Sequence, residues 1–436
     1  METKLQPLRF QKHTKNLRDK PGNLKWNFAM GLLHGAFFSG GVGFSDPNTI
    51  LPVFVNSLTS SRILIGLFAS TIETTGSFSR LGNVLPQLFV ASKVEHKTHK
   101  KPLLVTAITV RALSWGVLAV LVFLLDNPRF LLWSTFLLLT VFTFMGGVAT
   151  IPFMDIWGKA IPARLRGRFF GWRQLLGGLL AIGAGLVTKQ ILSNPGLSFP
   201  DNYALLFFLT FILVSLSYLA LGSVKEPLEE VDGETSRFGQ FLKKSLTALK
   251  QDKNYQRFLL VRFLNGAGSL SLPFYVIYAR DVLHVSLGMV GIFISAQMVG
   301  GLLSNIQWAY ISDYIGNRKV IQVSLITSLL TPVAAILIGP ETSYLFVLVF
   351  ISAGFCLNGS KLGYGNYLLD VCPRGRRPTY LGLNGVFLAP TALFPLIGGI
   401  VLEYATFALL FVLTAGLILS SFCLSFTLQE SRHRPR

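Results

Sequence analysis

Glu73 is a single carboxylate inside a long apolar stretch of the sequence. If that stretch is a helix beginning at Arg62, Glu73 lies 11 residues (73 − 62) and roughly 16 Å from its start. A charge at that depth of a bilayer is costly, so it indicates a function by default. Glu73 is either a site that takes up and releases a proton or a permanently ionised carboxylate paired with a basic group of another helix.

Other charged residues lie nearer the ends of apolar stretches. Arg80, Arg111 and Arg262 fall in the halves next to basic loops, and Asp155 and Asp370 end their stretches beside such loops. For these five residues, salt bridges that close a gate are favoured over contacts with a substrate. His34 is either a proton relay or a structural histidine held by hydrogen bonds.

These charges sit in a chain that reads as an all-α membrane protein. It is 51% hydrophobic and 14% charged, and its apolar residues come in runs rather than in amphipathic stripes. A helix needs roughly 20 apolar residues to cross the hydrocarbon core. Twelve such segments are predicted, at 26–56, 62–91, 103–125, 129–156, 168–192, 203–224, 256–280, 286–311, 319–339, 343–369, 378–402 and 405–428.

The net charge of +19 is explained by orientation rather than by nucleic-acid binding. Most Lys and Arg residues fall in alternate loops and in both tails, which the positive-inside rule places in the cytoplasm. We therefore expect a multi-pass protein of the cell (inner or plasma) membrane with cytoplasmic N- and C-termini. The three cysteines offer neither a disulfide framework nor a metal site, and no cofactor is expected.

The longest polar interruption divides the chain into two sets of six spans. The predicted parts are an N-terminal tail (1–25), a first six-helix bundle (26–224), a linker (225–255), a second six-helix bundle (256–428) and a C-terminal tail (429–436). Apolar residues recur at helical spacing in 238–249, which indicates either a short helix on the cytoplasmic surface or a solvated linker.

Two internal sequence similarities indicate that the two bundles are repeats of one another. A shift of 225 residues places Gly66, Ser70, Gly76 and Ser79 on Gly291, Ser295, Gly301 and Ser304. The segment from Arg166 through Arg168 to Gly171 also echoes that from Arg377 to Gly382, and Asp155 or Asp370 precedes each one. Parallel six-span repeats are typical of transporters.

The loop between spans 8 and 9 carries a motif, Ala309-Tyr-Ile-Ser-Asp313-Tyr-Ile-Gly316-Asn-Arg318-Lys319. It resembles the cytoplasmic loop signature of the major facilitator superfamily, G-x-x-x-D-R-x-G-R-R/K. Ala309 replaces the first glycine, and Tyr314 and Asn317 replace basic residues. The first-half copy is weaker, because Leu88 stands where the acid is expected.

The resemblance implies a secondary transporter that moves a small solute by alternating access. In this superfamily, spans 1, 4, 7 and 10 line a central cavity. Candidate lining residues are thus His34, Asn265, Asn358, Lys361 and Tyr364, with Gln297 as an addition. Lys361 either binds an anionic substrate or extends towards the cytoplasm.

Glu73 and His34 are the candidates for proton coupling, and the signature residues Asp313, Gly316, Arg318 and Lys319 are expected to hold one access state closed. The expected partners are a small-molecule substrate, membrane lipids and protons, and the expected form is a monomer. Drugs, sugars and organic anions all stay open as substrates.

Other classes of function fit the sequence less well. An enzyme would need clustered His, Asp or Glu or a nucleophile near an interface, and a pump that hydrolyses nucleotides would need a G-x-x-x-x-G-K-[ST] module. Neither pattern occurs, so no enzymatic activity is expected. The alternatives are a sensor or receptor that keeps the fold without transport, and a membrane-embedded lipid-handling protein.

Overall fold

The computed structural model describes residues 21–72, 99–227, 252–373 and 377–430. Glu73, Arg80, the first-half loop with Leu88, the amphipathic segment of the linker, residues 1–20 and residues 431–436 lie outside this part of the chain. Every regular element that is described is helical, which confirms the all-α prediction. Ten helical stretches of the described residues, some of them made of consecutive short helices, are long and apolar enough to cross a membrane.

The first half begins with a broken helix. Pro47 interrupts the predicted span 26–56, since proline cannot donate the next helical hydrogen bond and disfavours helix in the residue before it. The buried carboxylate of Asp46 restarts the helix by accepting hydrogen bonds from Asn48 N (2.9 Å) and Thr49 Oγ1 (2.9 Å). The helices are α1 (Pro21–Gly43), α2 (Ile50–Leu58), α3 (Arg62–Thr71), α4 (Lys101–Leu124), α5 (Pro128–Ala160), α6 (Ala163–Ser193) and α7 (Asp201–Gly222).

The second half contains similar interruptions. Glycines and Pro273 divide its first span into three pieces, and short 3₁₀ turns at Pro340–Phe346 and Ala389–Leu393 interrupt two later spans. The helices are α8 (Lys253–Asn265), α9 (Gly268–Ser271), α10 (Phe274–Asp281), α11 (Met289–Tyr310), α12 (Asn317–Leu337), α13 (Val347–Val371), α14 (Arg377–Leu388), α15 (Phe394–Tyr404) and α16 (Phe407–Ser425).

The bundle has two ends that differ in packing. We call one the turn end, because the turns at 59–61, 125–127, 194–200, 282–288, 338–339 and 405–406 lie there. The other, with residues 99–100, 161–162, 223–227, 252, 316 and 372–373, we call the tail end.

Buried apolar side chains form one cluster at the turn end and two at the tail end. The turn-end cluster combines Phe54 and Ile65 of the first half with Phe274 and Phe293 of the second. At the tail end each half has a cluster of its own, one from Leu104 to Val224 and one from Tyr255 to Leu428. The two halves therefore share a core at the turn end and separate towards the tail end.

Small residues allow the halves to touch at the turn end. A Cβ at Gly185 of α6 would lie 2.6 Å from the carbonyl oxygen of Gly291 of α11, and Ser295 Oγ donates to Ile182 O (2.9 Å). Close contact of this kind is the usual role of small residues between membrane helices.

Gly66 of α3 meets α15 in the same way. A Cβ there would lie 3.1 Å from Gly399 Cα, and Ser70 Oγ accepts a hydrogen bond from Leu396 N (3.0 Å). Two pairs of helices, α6 with α11 and α3 with α15, thus join the halves.

Replacing Gly185 with leucine should destabilise the protein, because the new side chain has no space beside Gly291. Overpacking of a tight contact costs about 1–3 kcal/mol, which we expect as a lower melting temperature of the purified protein in detergent. Gly183→Leu is the matched control, since Gly183 lies two residues away on α6 and a Cβ there meets nothing within 4 Å. Equal effects of the two substitutions would contradict this account of the contact.

Candidate functional site

The candidate site is the gap between the halves, which opens at the tail end. A Cβ at Gly167 or Gly171, in the tail-end part of α6, would meet nothing within 4 Å. On α11, which contacts α6 further along, the side chains of Ile306 and Tyr310 are exposed. The two facing helices therefore diverge towards the tail end and leave the interior accessible from that side.

Four basic residues lie at one depth in the bundle. Arg111 and Arg173 each lie ten residues from the tail-end terminus of their helix (111 − 101 and 173 − 163), as does Lys361 (371 − 361), and Arg262 lies nine residues from it (262 − 253). At a rise of 1.5 Å per residue, this level is about 15 Å inside the tail end. Each half contributes two of the four charges.

Arg111 is the most enclosed of the four. Its side chain is 5% exposed, its Nε donates to Tyr218 Oη (2.7 Å), and its guanidinium lies 4.0 Å from the centre of the Phe142 ring. A cation over an aromatic face is attracted by the ring quadrupole. Arg111 is thus held inside the first half.

His34 lies beside this group. Its Nδ1 is 2.6 Å from Ser217 Oγ, which also donates to the backbone oxygen of His34 (2.9 Å). The ring packs against Phe153 and Tyr218 and is buried. These contacts join α1 to α7 within one half, and the proposed role of His34 as a proton relay stays a prediction.

Arg173 projects from α6 towards α1 and α5. A Cβ at Gly35 would collide with its side chain, so the missing side chain of Gly35 makes the space that Arg173 occupies. Its guanidinium lies 5.4 Å from the centre of the Phe153 ring, and its buried Nε has no hydrogen-bond partner among the described residues.

In the second half, Arg262 is held by neutral groups. It donates to Asn384 Oδ1 (3.0 Å) and lies 5.6 Å from the centre of the Tyr364 ring. Tyr364 is only 1% exposed, so it packs beneath Arg262 rather than lining an open space.

Lys361 faces the gap from α13. Ser360 and Tyr364 of this helix face α8, where Asn265 Nδ2 donates to Ser360 Oγ (3.1 Å), whereas Asn358 faces α11 and donates to Gly301 O (2.7 Å). With 3.6 residues per turn, Lys361 lies between these two faces. It is exposed, and its ammonium group is within electrostatic reach of Arg173 in the other half.

The remaining candidate cavity residues pack between helices. Asn265 and Asn358 bind neighbouring helices as described, and Gln297 is buried on α11 with an Oε1 that has no partner among the described residues. Arg173 and Lys361 therefore lie at the gap. Asn265, Asn358 and Gln297 lie between the helices that form its walls.

The loop signature is anchored within the second half. Gly316 has a φ of 128°, a conformation that L side chains rarely adopt, and Asn317 Nδ2 donates to Asp370 Oδ2 (2.7 Å). Arg318 donates to Phe426 O (2.8 Å). Asp313 and Lys319 are exposed beside them.

The predicted first-half gate residues also have their described contacts within their own half. Asp155 binds Lys100 (3.1 Å) and Lys159 (2.8 Å), and Arg166 Nε donates to Ile161 O (3.0 Å). Arg168 is exposed, and the backbone of Arg377 begins α14. These contacts of Asp155 and Arg166 all lie within the first half, as fits an open tail end.

Among the described residues, one ion pair crosses between the halves, and the sequence suggested no role for its members. Arg62 of α3 binds Asp281 of α10 (2.7 Å), and the backbone N–H of Arg62 donates to Glu403 of α15 (2.6 Å). The sequence does contain a hint of this contact: Arg62 is a basic residue beside one predicted turn, and Asp281 and Glu403 are carboxylates beside two others. Among the described residues, no group of three or more His, Cys, Asp or Glu side chains could hold a metal.

Comparison with known proteins finds a family match for the second half of the chain. Residues 258–436 match the sequence model of the Major Facilitator Superfamily. No curated protein matches the chain by sequence.

Solved structures of transporters share the fold over nearly the whole chain. A mutant of the nucleoside transporter NupG is 15% identical, with a TM-score of 0.70 over 94% of this chain and 100% of that one. A bacterial homologue of the iron transporter ferroportin in its inward-facing state is 13% identical, with a TM-score of 0.67 over 95% and 100%.

The outward-facing state of the ferroportin homologue is 14% identical to this chain, with a TM-score of 0.58 over 92% and 98% of the two chains. At these identities the likeness concerns the fold. The second half of the chain thus matches the Major Facilitator Superfamily in sequence, and almost the whole length shares the fold of these transporters.

Proposed function

We propose that this protein is a secondary transporter that moves a small solute by alternating access and that the described state is open to the cytoplasm. The observation that carries the proposal is the difference between the two ends of the bundle. The halves share a buried core and an ion pair at the turn end, while polar and basic side chains stand in a gap that opens at the tail end. A carrier needs such a site with access from one side at a time.

The comparison with one protein in two states supports the direction of opening. The TM-score with the ferroportin homologue is 0.67 for the inward-facing state and 0.58 for the outward-facing state. Most Lys and Arg residues of the sequence fall in segments that adjoin helix termini of the tail end, and the positive-inside rule assigns such segments to the cytoplasm. In this orientation the gap opens on the cytoplasmic side of the membrane.

The proposal includes twelve spans in two six-helix repeats, 26–224 and 256–428, joined by the linker 225–255. The ten described spans become twelve if the broken pair α1–α2 and the helix that starts at Arg62 each cross the membrane once. Equivalent residues of the two repeats support this: Gly66 with Ser70, and Gly291 with Ser295, make the contacts between the halves.

Transport can be tested without knowing the substrate. Proteoliposomes containing the protein are incubated in a metabolite extract, and the solutes in their lumen are measured by mass spectrometry. At least one solute should equilibrate faster than in liposomes that contain an unrelated membrane protein. Identical contents in the two preparations, with and without a pH gradient, would show that this protein is not a transporter of metabolites in the extract.

Proton coupling through Glu73 is part of the proposal. For a solute found in that assay, Glu73→Gln should abolish accumulation driven by a pH gradient, since a neutral amide cannot carry the proton, while exchange without a gradient continues. Unchanged pH dependence in the variant would exclude the coupling role.

The ion pair at the turn end should act as the outer gate. In a cysteine-free background, Ile65→Cys reports on opening, because Ile65 is fully buried beneath the gate (0% exposed). Arg62→Gln or Asp281→Asn should make this thiol react about threefold to tenfold faster with a charged thiol reagent. That range corresponds to about 1 kcal/mol, the scale of a partly exposed ion pair.

Arg129→Gln is the matched control for this measurement. Arg129 is an exposed arginine of another turn-end loop, so its loss changes the net charge equally without touching the gate. If Arg129→Gln accelerates the reaction as much as Arg62→Gln does, the gate assignment fails.

A further inference from the structure

Resting on the proposed transport function, we infer that the cavity takes an anion, whose carboxylate or phosphate oxygens are held between Arg173 of the first half and Lys361 of the second.

The first argument is the charge at one level of the bundle. Arg111, Arg173, Arg262 and Lys361 lie about 15 Å inside the tail end. The described carboxylates lie elsewhere: Asp46 is in the break between α1 and α2, Asp155 binds two lysines, and the others lie at helix ends or in turns. The sequence places Glu73 inside a span, yet one carboxylate offsets only one of four charges.

The second argument concerns partners. Arg111 and Arg262 are satisfied by a phenol, an amide and aromatic rings. Arg173 and Lys361, by contrast, form no hydrogen bond or ion pair with any residue that the structure describes, and the buried Nε of Arg173 is left without an acceptor. A buried donor without an acceptor is unfavourable, so this arrangement suits a ligand that supplies acceptor oxygens.

The third argument is the position of the two side chains. Arg173 belongs to the first half and Lys361 to the second, and they are close enough to repel each other. Two like charges that face each other across the gap oppose the approach of the halves. An anion between them replaces this repulsion by two attractions, so binding favours closure of the tail end.

Neutral groups complete the wall around this pair. Phe153 lies against the guanidinium of Arg173, and Leu357 lies one helical turn from Lys361 on the same face of α13. An apolar part of the anion can pack against these side chains. The expected substrate class is therefore an organic acid or a phosphate ester rather than a cation.

The charge preference of the cavity can be measured without a known substrate and without transport. Leu357→Cys is introduced after the three native cysteines are replaced, and the protein is purified in detergent. Its reaction rates with two thiol reagents of similar size are compared: anionic 2-sulfonatoethyl methanethiosulfonate and cationic 2-(trimethylammonio)ethyl methanethiosulfonate. Relative to a free thiol, the rate ratio should favour the anion by about tenfold or more, since one charge a few ångströms away shifts each rate severalfold.

Charge removal identifies the residues responsible. Arg173→Gln and Lys361→Gln should each lower the ratio at least about threefold, whereas Arg173→Lys, Lys361→Arg and the control Arg129→Gln should preserve it. Lys361 is exposed, so its substitution is tolerated even if Arg173→Gln fails to fold. A ratio near that of the free thiol, or one that Lys361→Gln leaves unchanged, would overturn the inference.

Two sources of the anion are separated by the surrounding lipid. In nanodiscs of phosphatidylcholine the preference should persist. If phosphatidylglycerol lowers it, an anionic lipid headgroup occupies the site, and if phosphatidylglycerol has no effect, the site takes a soluble anion. The measurement does not depend on transport, so an anion-selective cavity in a protein that moves no solute would refute the proposed function and leave the site intact.

Discussion

The close contact of helix backbones at the turn end is the constraint on which the rest of the structure depends. Without hydrophobic driving force between helices in lipid, association relies on packing and hydrogen bonds, and glycines allow α6 to reach α11 and α3 to reach α15. Because both contacts lie towards the same end, the other end is free to separate. The open gap, its exposed walls and the Arg173 Nε that lacks a partner among the described residues all follow from that placement.

The four basic residues inside the bundle fall into two pairs with different surroundings. In each half one arginine is enclosed by neutral partners: Arg111 by Tyr218 and Phe142, and Arg262 by Asn384 and Tyr364. These two charges are fixed to their own bundle. Arg173 and Lys361 lie where the two halves face each other, so a ligand that binds both residues contacts both halves.

Much of the fold could be predicted from the sequence, because a membrane helix is specified by the length of an apolar run. The positions where these helices are interrupted were harder to predict. Pro47 and Pro273 can be seen in the sequence, but only tertiary packing decides whether a proline bends a helix or ends it. The loop signature was recognised from Gly316, whose positive φ accounts for the glycine. That Asn317, a departure from the pattern, would bind Asp370 could not be predicted, since it depends on how α12 and α13 meet.

The site was predicted less completely. Lys361 was singled out by its charge within an apolar segment, whereas Arg173 was missed because its span begins with basic residues that conceal it. Arg62 and Asp281 were missed because they are separated by 219 positions, and only the fold brings them together.

The partial exposure of that pair, 23% for Arg62 and 33% for Asp281, makes the ion pair sensitive to salt in the surrounding medium. Dissolved ions reach the pair and screen it, with a Debye length of about 8 Å at physiological ionic strength. The glycine contacts beneath it are uncharged and are not screened. Salt therefore weakens only one component of the contact between the halves at the turn end. In the proposed orientation, high external salt would bias the proposed carrier towards its outward-open form.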